Sequence, residues 1–184
     1  MIILASQSPR RKELMSQIAK DFTIIISNID ESTSLNLPPL VAVKDIAYRK
    51  GVAVAKDHPN DIVISADTIV VIDNQIIGKP KNKEDAKRIL KLLSNKTHHV
   101  YTAYAIISPD KVIRDVVDTE VVFNELDDEL IDRYIASGSP MDKAGAYGIQ
   151  DKEFNLVKSI IGSYTNVMGF PVDEIKIDLN KITK

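Results

Sequence analysis

The chain has 184 residues, of which 44% are hydrophobic, so it can supply the core of one compact folding unit. Its formal net charge of -2 argues against a general nucleic-acid-binding surface, because binding to phosphate backbones normally requires a basic excess. The absence of cysteine excludes disulfides, thiol nucleophiles and thiolate metal sites. We therefore predict a single domain over residues 1–184, in which any metal is held by oxygen or histidine ligands.

The sequence predicts no association with a membrane. No uninterrupted apolar stretch approaches the roughly 20 residues that a membrane-spanning helix needs. At the start of the chain the apolar residues precede the arginines, which is the reverse of the order in a secretory signal. We therefore expect a cytoplasmic protein.

The first predicted elements are a strand at residues 2–5 and a helix that starts after a tight loop. Ser8 suits the N-cap of this helix and Pro9 its first position, where a missing N–H group is harmless. A helix N-terminus carries roughly half a positive charge, and Arg10 and Arg11 flank its free amides. The segment therefore favours a highly charged anion such as a polyphosphate, although a capped surface helix with two solvated arginines has the same pattern.

The next segment alternates between apolar and polar stretches. Residues 22–26 are rich in β-branched side chains and predict a buried strand, and residues 28–39 predict a polar loop that contains Glu31. A helix is predicted over residues 40–55. Lys50 lies beside its apolar stripe, from which the ammonium group can reach into a cleft.

An acidic residue then interrupts an apolar stretch. Residues 61–66 predict a buried strand that ends at Asp67 and Thr68, and the apolar run resumes at residues 69–72. A turn is predicted at residues 73–74. Asp67 therefore interrupts the path of a buried strand.

The remaining elements alternate in type. Lys79 lies in a constrained turn, and Asn82 is the predicted cap of the helix that follows it. The predicted order is helix 82–93, strand 98–108, strand 112–123, helix 127–136, glycine-rich stretch 138–148, short strands up to residue 161 and helix 172–182. This alternation, with one antiparallel section, predicts an α/β fold with a mixed sheet.

The candidate site residues share loop or strand-end positions: Glu31, Asp67, Gln150, Arg10, Arg11, Lys50 and Lys79. Two carboxylates together with phosphate oxygens suit Mg²⁺ or Mn²⁺, and Asp67 can also orient or deprotonate an attacking water. Taken singly, each of these residues is equally typical of a solvated surface charge. The prediction therefore depends on their joint occurrence.

With these residues assembled, the sequence resembles the Maf family of nucleoside triphosphate pyrophosphatases along nearly its whole length. The matching blocks are SQSPRR (6–11), DE (30–31), SADT (65–68), GKP (78–80), HVYT (99–102), DKAGAYGIQ (142–150) and GSYTNVMGFP (162–171). Several ordered blocks make a specific signal. The resemblance implies an elongated, twisted mixed sheet flanked by helices, with two lobes around a central cleft.

Within the family, the residues at positions 67–68 and 143–150 resemble the branch that acts on dTTP and UTP. The resemblance implies hydrolysis between the α and β phosphates, a divalent metal and a homodimer. It also implies that Asp67 is the proton acceptor and that Arg10, Thr68 and Gln150 determine substrate choice.

We assign the phosphate-binding and metal-binding roles as follows: Ser8, Arg10, Arg11, Lys50 and Lys79 for the triphosphate, and Glu31 and Asp67 for Mg²⁺ or Mn²⁺. The amide of Gln150 offers both a donor and an acceptor, so it can pair with the edge of uracil or thymine. Water would attack the α-phosphorus without a covalent enzyme intermediate.

The sequence departs from the family pattern at Asp151, Phe170 and Gly51, where glycine, leucine and alanine are common. Asp151 follows Gln150 and can alter the backbone or the charge of the base pocket. Two other functions stay open. One is a nucleotide-binding regulatory protein linked to cell division, and the other is a house-cleaning pyrophosphatase directed at purines.

Overall fold

The computed structural model describes residues 1–34 and 36–183, and these residues form one sheet of seven strands flanked by helices. In chain order the helices and strands are β1 (Ile2–Leu4), α1 (Pro9–Met15), β2 (Thr23–Ile24), α2 (Pro39–Ala55), β3 (Ile62–Ile72), β4 (Gln75–Ile77), α3 (Lys83–Leu93), β5 (Thr97–Ile107), β6 (Val112–Phe123), α4 (Asp128–Ala136), β7 (Val157–Ile161), α5 (Tyr164–Val167) and α6 (Val172–Asn180). The predicted mixed α/β class is confirmed. Leu35 of the predicted polar loop and Lys184 of the predicted domain lie outside the described residues.

The sheet has the strand order β2-β1-β3-β5-β6-β7, and β4 also pairs with β3. β1 runs parallel to β2 and β3, whereas all other pairs are antiparallel. Strands β5 and β6 pair from Thr97–Val122 to Ile107–Val112, as predicted for a long hairpin. This hairpin and β3 form the centre of the sheet.

Two helices start at the predicted capping residues Ser8 and Asn82, and a third starts at Asp127. The side chains of Ser8, Asn82 and Asp127 accept hydrogen bonds from the backbone N–H groups at the starts of α1, α3 and α4. Asp73 and Asn74 both have positive φ angles, of 50° and 60°, as the predicted tight turn between β3 and β4 requires. These local features were predictable because each depends on residues only a few positions apart.

One edge of β3 is unpaired over its middle section within the described residues. The other edge pairs with β5 from Val63 to Val71, so β1 and β4 must share this edge. β1 pairs with β3 only as far as Ile64, and β4 pairs from Val70 onward. Because β1 is parallel and β4 antiparallel to β3, both strands point their carboxyl ends at the gap between residues 64 and 70.

The core consists of groups on the two faces of the sheet. On one face, Val43 and Ala47 of α2 pack on Ile69 and Val71 of β3. On the other face, one group of buried side chains includes Ile64 and Ala66 and packs with α1 and α6. A second group includes Val70 and Ile72 of β3 and packs with α3 and α4. Thr68 lies between these two groups, as the alternation of side chains along a strand requires.

Two sequence predictions about strands were wrong. The predicted buried strand 22–26 is the two-residue edge strand β2, and Ile24 and Ile26 are exposed. A run of β-branched residues predicts a strand, but the strand is buried only where helices or other strands pack over it. The predicted strand end at Asp67 and Thr68 is absent, because both residues stay in the ladder with β5. Their polar side chains project to the two faces of the sheet, so pairing continues through them.

Within the described residues, none of the helices is long and apolar enough to cross a membrane.

Candidate active site

The gap along β3 brings together two of the predicted cationic loops. The loop after β1 ends at Ser8, the N-cap of α1, and Arg10 and Arg11 follow in the first turn of that helix, whereas Lys79 lies in the loop after β4. Loops at the ends of strands are common positions for binding groups because the scaffold fixes them while leaving them accessible. Lys79 is exposed, so its ammonium group is accessible to a ligand at this edge.

The predicted carboxylate pair lies on the α2 face of the sheet and is bridged by Lys50. The Lys50 Nζ atom lies 2.8 Å from Asp67 Oδ1 and 2.8 Å from Glu31 Oε1. Lys50 and Asp67 are largely buried, with side-chain exposures of 15% and 13%, whereas Glu31 is half-exposed at 49%. The structure therefore brings together three of the predicted site residues around one positive charge.

Arg11 and Thr68 meet on the opposite face of β3. The Arg11 side chain donates from Nη2 to Thr68 Oγ1 at 3.1 Å and from Nε to the Gly169 carbonyl at 2.9 Å. Thr68 Oγ1 also lies 2.9 Å from Thr102 Oγ1. Burial lowers the pKa of the Arg11 guanidinium, and Asp67 opposes that shift. Arg11 was predicted to bind phosphate, but its Nη2 donor is used to hold Thr68.

Arg10 reaches toward the segment that carries Gln150. Its Nη1 atom lies 3.9 Å from Asp142 Oδ2, and its side chain is 30% exposed. Burial tends to raise the pKa of Asp142, but the hydrogen bond from Lys143 and the charges of Lys143 and Arg10 lower it overall. This weak pair connects α1 to the glycine-rich stretch without closing off the Arg10 guanidinium.

Gln150 lies in a tight cluster with Lys143 and Asp151. A Cβ atom built on Gly148 would lie 2.9 Å from Lys143 Cε, 3.0 Å from Gln150 Nε2 and 3.1 Å from Asp151 Oδ2. The three side chains therefore meet over the Cα of Gly148. Among the described residues, no hydrogen bond joins Gln150 to Thr68 or to the carboxylate pair.

A hydrogen-bonded network holds this cluster in place. Asp151 Oδ2 accepts from Tyr134 Oη at 2.6 Å and from Ser139 Oγ at 2.5 Å. Lys143 Nζ donates to the Ser139 carbonyl at 2.6 Å, and the Gly148 N–H donates to Tyr134 Oη at 2.9 Å. Burial raises the pKa of Tyr134, and the hydrogen bond to Asp151 adds to the shift. The family departure at Asp151 thus places a carboxylate inside the segment rather than a free charge in solvent.

The donor set of the carboxylate pair fits a divalent metal. Asp67 Oδ1 and Glu31 Oε1 both lie 2.8 Å from one ammonium nitrogen, so a cation between them already contacts both oxygens. In residues 1–34 and 36–183, no group of three or more His, Asp or Glu side chains could hold a metal. Mg²⁺ commonly takes one or two protein carboxylates and completes its shell with waters and substrate phosphates. Glu31 and Asp67 therefore fit a metal that is shared with a phosphate ligand.

The sequence prediction missed the groups that hold these residues. Lys143 is only 8% exposed, and it was not among the predicted site residues although it lies in a block of resemblance. The sequence signal that could have identified Lys143 is its position at the start of a stretch of mostly small residues, 143–148. Tyr134 and Ser139 carry no such signal, since both are ordinary residues near the end of a helix.

The second family departure, Gly51, has a packing reason. A Cβ atom at position 51 would lie 2.6 Å from Ser65 Oγ and 2.9 Å from Ile107 Cδ1. Ser65 Oγ donates to the Ala47 carbonyl of α2 at 2.7 Å. Helix α2 therefore approaches β3 closely next to Lys50, and glycine is what permits that approach.

Comparison with known proteins shows the family of this chain. A family model described as Maf-like protein matches residues 1–182. A dTTP/UTP pyrophosphatase of Bacillus anthracis is 47% identical over 180 residues, and one of Bacillus mycoides is 46% identical. Each alignment covers 98% of this chain and 94% of the relative.

Among solved structures, that of the Staphylococcus aureus Ham1 protein is similar with a TM-score of 0.54. The two sequences are 16% identical, and the match covers 98% of both chains, so this likeness concerns the fold alone. The family match spans nearly the whole chain, and the curated relatives are almost half identical. The chain therefore belongs to the Maf family.

Proposed function

We propose that this protein is a nucleoside triphosphate pyrophosphatase that hydrolyses dTTP and UTP, or modified pyrimidine nucleotides, to the monophosphate and pyrophosphate. The observation that carries this proposal is the Lys50-bridged pair of Glu31 and Asp67 beside the gap in the sheet. The substrate class is supported by the curated relatives, which are named dTTP/UTP pyrophosphatases.

The reaction requires neutralisation of the triphosphate and activation of a water. Arg10 and Lys79 are the accessible cations at this edge of the sheet, and the start of α1 at Ser8 adds backbone donors. A divalent cation held by Glu31 and Asp67 would supply further charge neutralisation at the phosphate oxygens. In this proposal the α-phosphoryl group binds beside Asp67.

Asp67 is proposed as the proton acceptor. Its Oδ1 atom accepts from Lys50, and this bond fixes the orientation of the carboxylate. In the described part of the chain, Oδ2 has no hydrogen-bond partner, so it can take the proton of a water that attacks the α-phosphorus. Pyrophosphate leaves as the new bond forms, and no covalent enzyme intermediate is needed.

Base selection is assigned to Gln150, with Thr68 and Arg10 as further determinants. The Gln150 amide can donate to and accept from the edge of uracil or thymine. Its place beside Lys143 and Asp151 restricts the positions that the amide can take. A fixed amide discriminates better than a mobile one, because a mismatched base would leave its polar groups unpaired.

Two further proposals are a homodimeric assembly, which rests on the family resemblance, and a cytoplasmic location, which rests on the sequence composition. Sedimentation equilibrium of the purified chain tests the first, with twice the chain mass expected. Fractionation of the producing cells tests the second.

The function is tested by measuring pyrophosphate release from dTTP, UTP, dCTP, dATP and GTP in the presence of Mg²⁺ or Mn²⁺. We expect the highest kcat/KM for dTTP and UTP, with the nucleoside monophosphate formed in equal amount. Binding without turnover would favour a nucleotide-dependent regulatory protein. A preference for purine nucleotides would change the proposed substrate class but not the proposed reaction.

A further inference from the structure

Glu31 lies in a loop, and its side chain makes few contacts. The carboxylate is half-exposed, and its ion pair with Lys50 at 2.8 Å is its only one among the described residues. Lys50 is also predicted from the sequence to bind the triphosphate, and that contact would weaken its hold on Glu31. The position of this carboxylate must then depend on how the backbone of its loop is held.

The backbone of this loop is anchored to α2 by Arg49. The Arg49 guanidinium donates from Nη2 to the Asp30 carbonyl at 2.7 Å. From Nη1 it donates to Thr33 Oγ1 and to Ser34 Oγ, both at 3.0 Å. The anchored residues precede and follow Glu31, so one side chain fixes the loop on both sides of the proposed metal ligand.

Asp45 completes this anchor one helical turn earlier on α2. Ser34 Oγ donates to Asp45 Oδ2 at 2.5 Å, and Arg49 Nη1 lies 3.5 Å from the same oxygen. Ser34 is fully buried. The buried Ser34 hydroxyl is costly to separate from its charged acceptor, because without Asp45 it would lose its hydrogen bond in a site that water does not reach.

The anchor also fixes the position of Glu31 relative to Lys50, the cation that lies between the two carboxylates. Arg49 and Lys50 are consecutive on α2, so one turn of the helix carries both the loop anchor and the cation between the carboxylates. A shift of the loop relative to α2 would move Glu31 away from Asp67. Arg49 thus joins the loop to the helix at the point where the geometry of the pair is set.

We propose that Arg49, supported by Asp45 and Ser34, is a positioning residue that holds Glu31 at metal-binding distance from Asp67. The proposal rests on the function proposed above, since it assumes that these two carboxylates bind the divalent metal. Groups that orient metal ligands without touching the metal commonly change metal affinity by about 10–100-fold when they are removed. Loss of Arg49 should therefore weaken metal binding more than nucleotide binding.

The direct test is a titration of Mn²⁺ into the protein in complex with α,β-methylene-UTP, followed by electron paramagnetic resonance. In Arg49→Met we expect the Kd for Mn²⁺ to rise about tenfold. In parallel turnover assays with UTP, the Mn²⁺ concentration for half-maximal activity should rise similarly, while KM at saturating Mn²⁺ stays within about twofold. A purely structural loss would lower the amount of active protein without this split.

Two variants calibrate the result. Arg49→Lys keeps the positive charge but carries its donors on a single nitrogen, which cannot reach all the partners of the guanidinium. It should therefore recover only part of the Mn²⁺ affinity. The matched control is Arg88→Met, which removes an arginine of α3 that pairs with Asp85 at 2.8 Å, and it should bind Mn²⁺ as the wild type does. Should Arg49→Met fail to fold, Ser34→Ala and Asp45→Asn are expected to shift the Kd in the same direction by a smaller factor.

Failure of this inference is distinguishable from failure of the proposed function. If Glu31→Gln loses Mn²⁺ affinity but Arg49→Met, Ser34→Ala and Asp45→Asn bind Mn²⁺ normally, the metal site stands and Arg49 is not its positioning residue. If the wild type neither binds Mn²⁺ through Glu31 nor releases pyrophosphate, the proposed function itself is wrong.

Discussion

The carboxylate pair and the segment that carries Gln150 are stabilised in different ways. The pair consists of carboxylates from β3 and from a loop, and among the described residues only Lys50 of α2 joins Glu31 to Asp67. The Gln150 segment is irregular in conformation but is held by buried groups, including the hydroxyls of Tyr134 and Tyr147.

This difference matches the two tasks proposed for the site. Glu31 is half-exposed, so it can change partners when a phosphate or a metal arrives, because water and ions compensate for the change. Buried hydroxyl and carboxylate groups cannot exchange partners without leaving an unsatisfied polar atom. The first region is therefore suited to chemistry, and the second to recognition of a fixed shape. Each prediction below tests one side of this comparison.

The largest effect is expected at Asp67. Asn has nearly the same shape as Asp but does not accept a proton at neutral pH, so Asp67→Asn should lower kcat for UTP by about 10³-fold. Nucleotide binding should change little because the cations remain. Steady-state pyrophosphate release measures the first quantity and calorimetric titration with α,β-methylene-UTP the second. The control is Asp132→Asn, which breaks a surface pair with Lys87 at 2.8 Å and should keep full activity. Undiminished kcat in Asp67→Asn would remove this residue from the proposed chemistry.

The second effect concerns the stability of the Gln150 segment at acidic pH. His98 is fully buried, and its Nε2 atom lies 2.7 Å from Tyr147 Oη. Burial lowers the pKa of His98 from 6.5 to about 4, with a smaller contribution from the charge of His99. The unfolded chain therefore binds a proton between pH 6.5 and 4 that the folded chain does not bind. The contribution of neutral His98 to the free energy of unfolding is complete above pH 6.5 and is lost as the pH falls toward 4.

Between pH 7.5 and pH 5 this proton should lower the free energy of unfolding by about 2 kcal/mol. Urea unfolding at the two pH values measures it, and His98→Gln should lack this part of the pH dependence. An equal pH dependence in both proteins would mean that His98 is not the responsible group.

The third effect tests how α2 is positioned for the carboxylate pair. In Gly51→Ala the new methyl group meets Ser65 Oγ and Ile107 Cδ1, and this overpacking should exceed the gain in helix propensity. We expect a net loss of about 1–2 kcal/mol in the free energy of unfolding. Adding Ser65→Gly removes the contact with Ser65, so the double variant should show a favourable coupling of about 1 kcal/mol in a double-mutant cycle. Simple additivity would contradict the close approach of α2 to β3.

The smallest effect is expected for base selection. Gln150→Ala removes the proposed base contacts, so the ratio of kcat/KM for dTTP over dCTP should fall about tenfold. The kcat for dTTP should fall much less than in Asp67→Asn, since the carboxylate pair is unchanged. Nucleotide panels for the two variants measure both quantities. An unchanged ratio would assign base selection to other residues of the segment.

Local features of the fold were predictable from the sequence. The predicted caps at Ser8 and Asn82 are confirmed, as is the turn at Asp73 and Asn74. In each case the deciding interaction joins residues within about four positions of one another. The position of Lys50 beside the apolar stripe of its helix also predicted that its ammonium group could reach into a cleft.

The wrong predictions share a different cause. The exposure of β2 and the continuity of β3 through Asp67 depend on which strands and helices lie next to them. The same is true of the anchor at Arg49, whose partners lie up to 19 positions away in the sequence. No local pattern distinguishes this arginine from a solvated one.

The sequence by itself determined where helices begin, where the hairpin turns and which residue types are available for phosphate and metal chemistry, because these depend on short-range hydrogen bonds and on composition. Only the tertiary structure decided that β1 and β4 both end at the gap along β3, and that Lys50 lies between Glu31 and Asp67. Those arrangements depend on strand pairing and on the docking of α2, which join residues far apart in the chain.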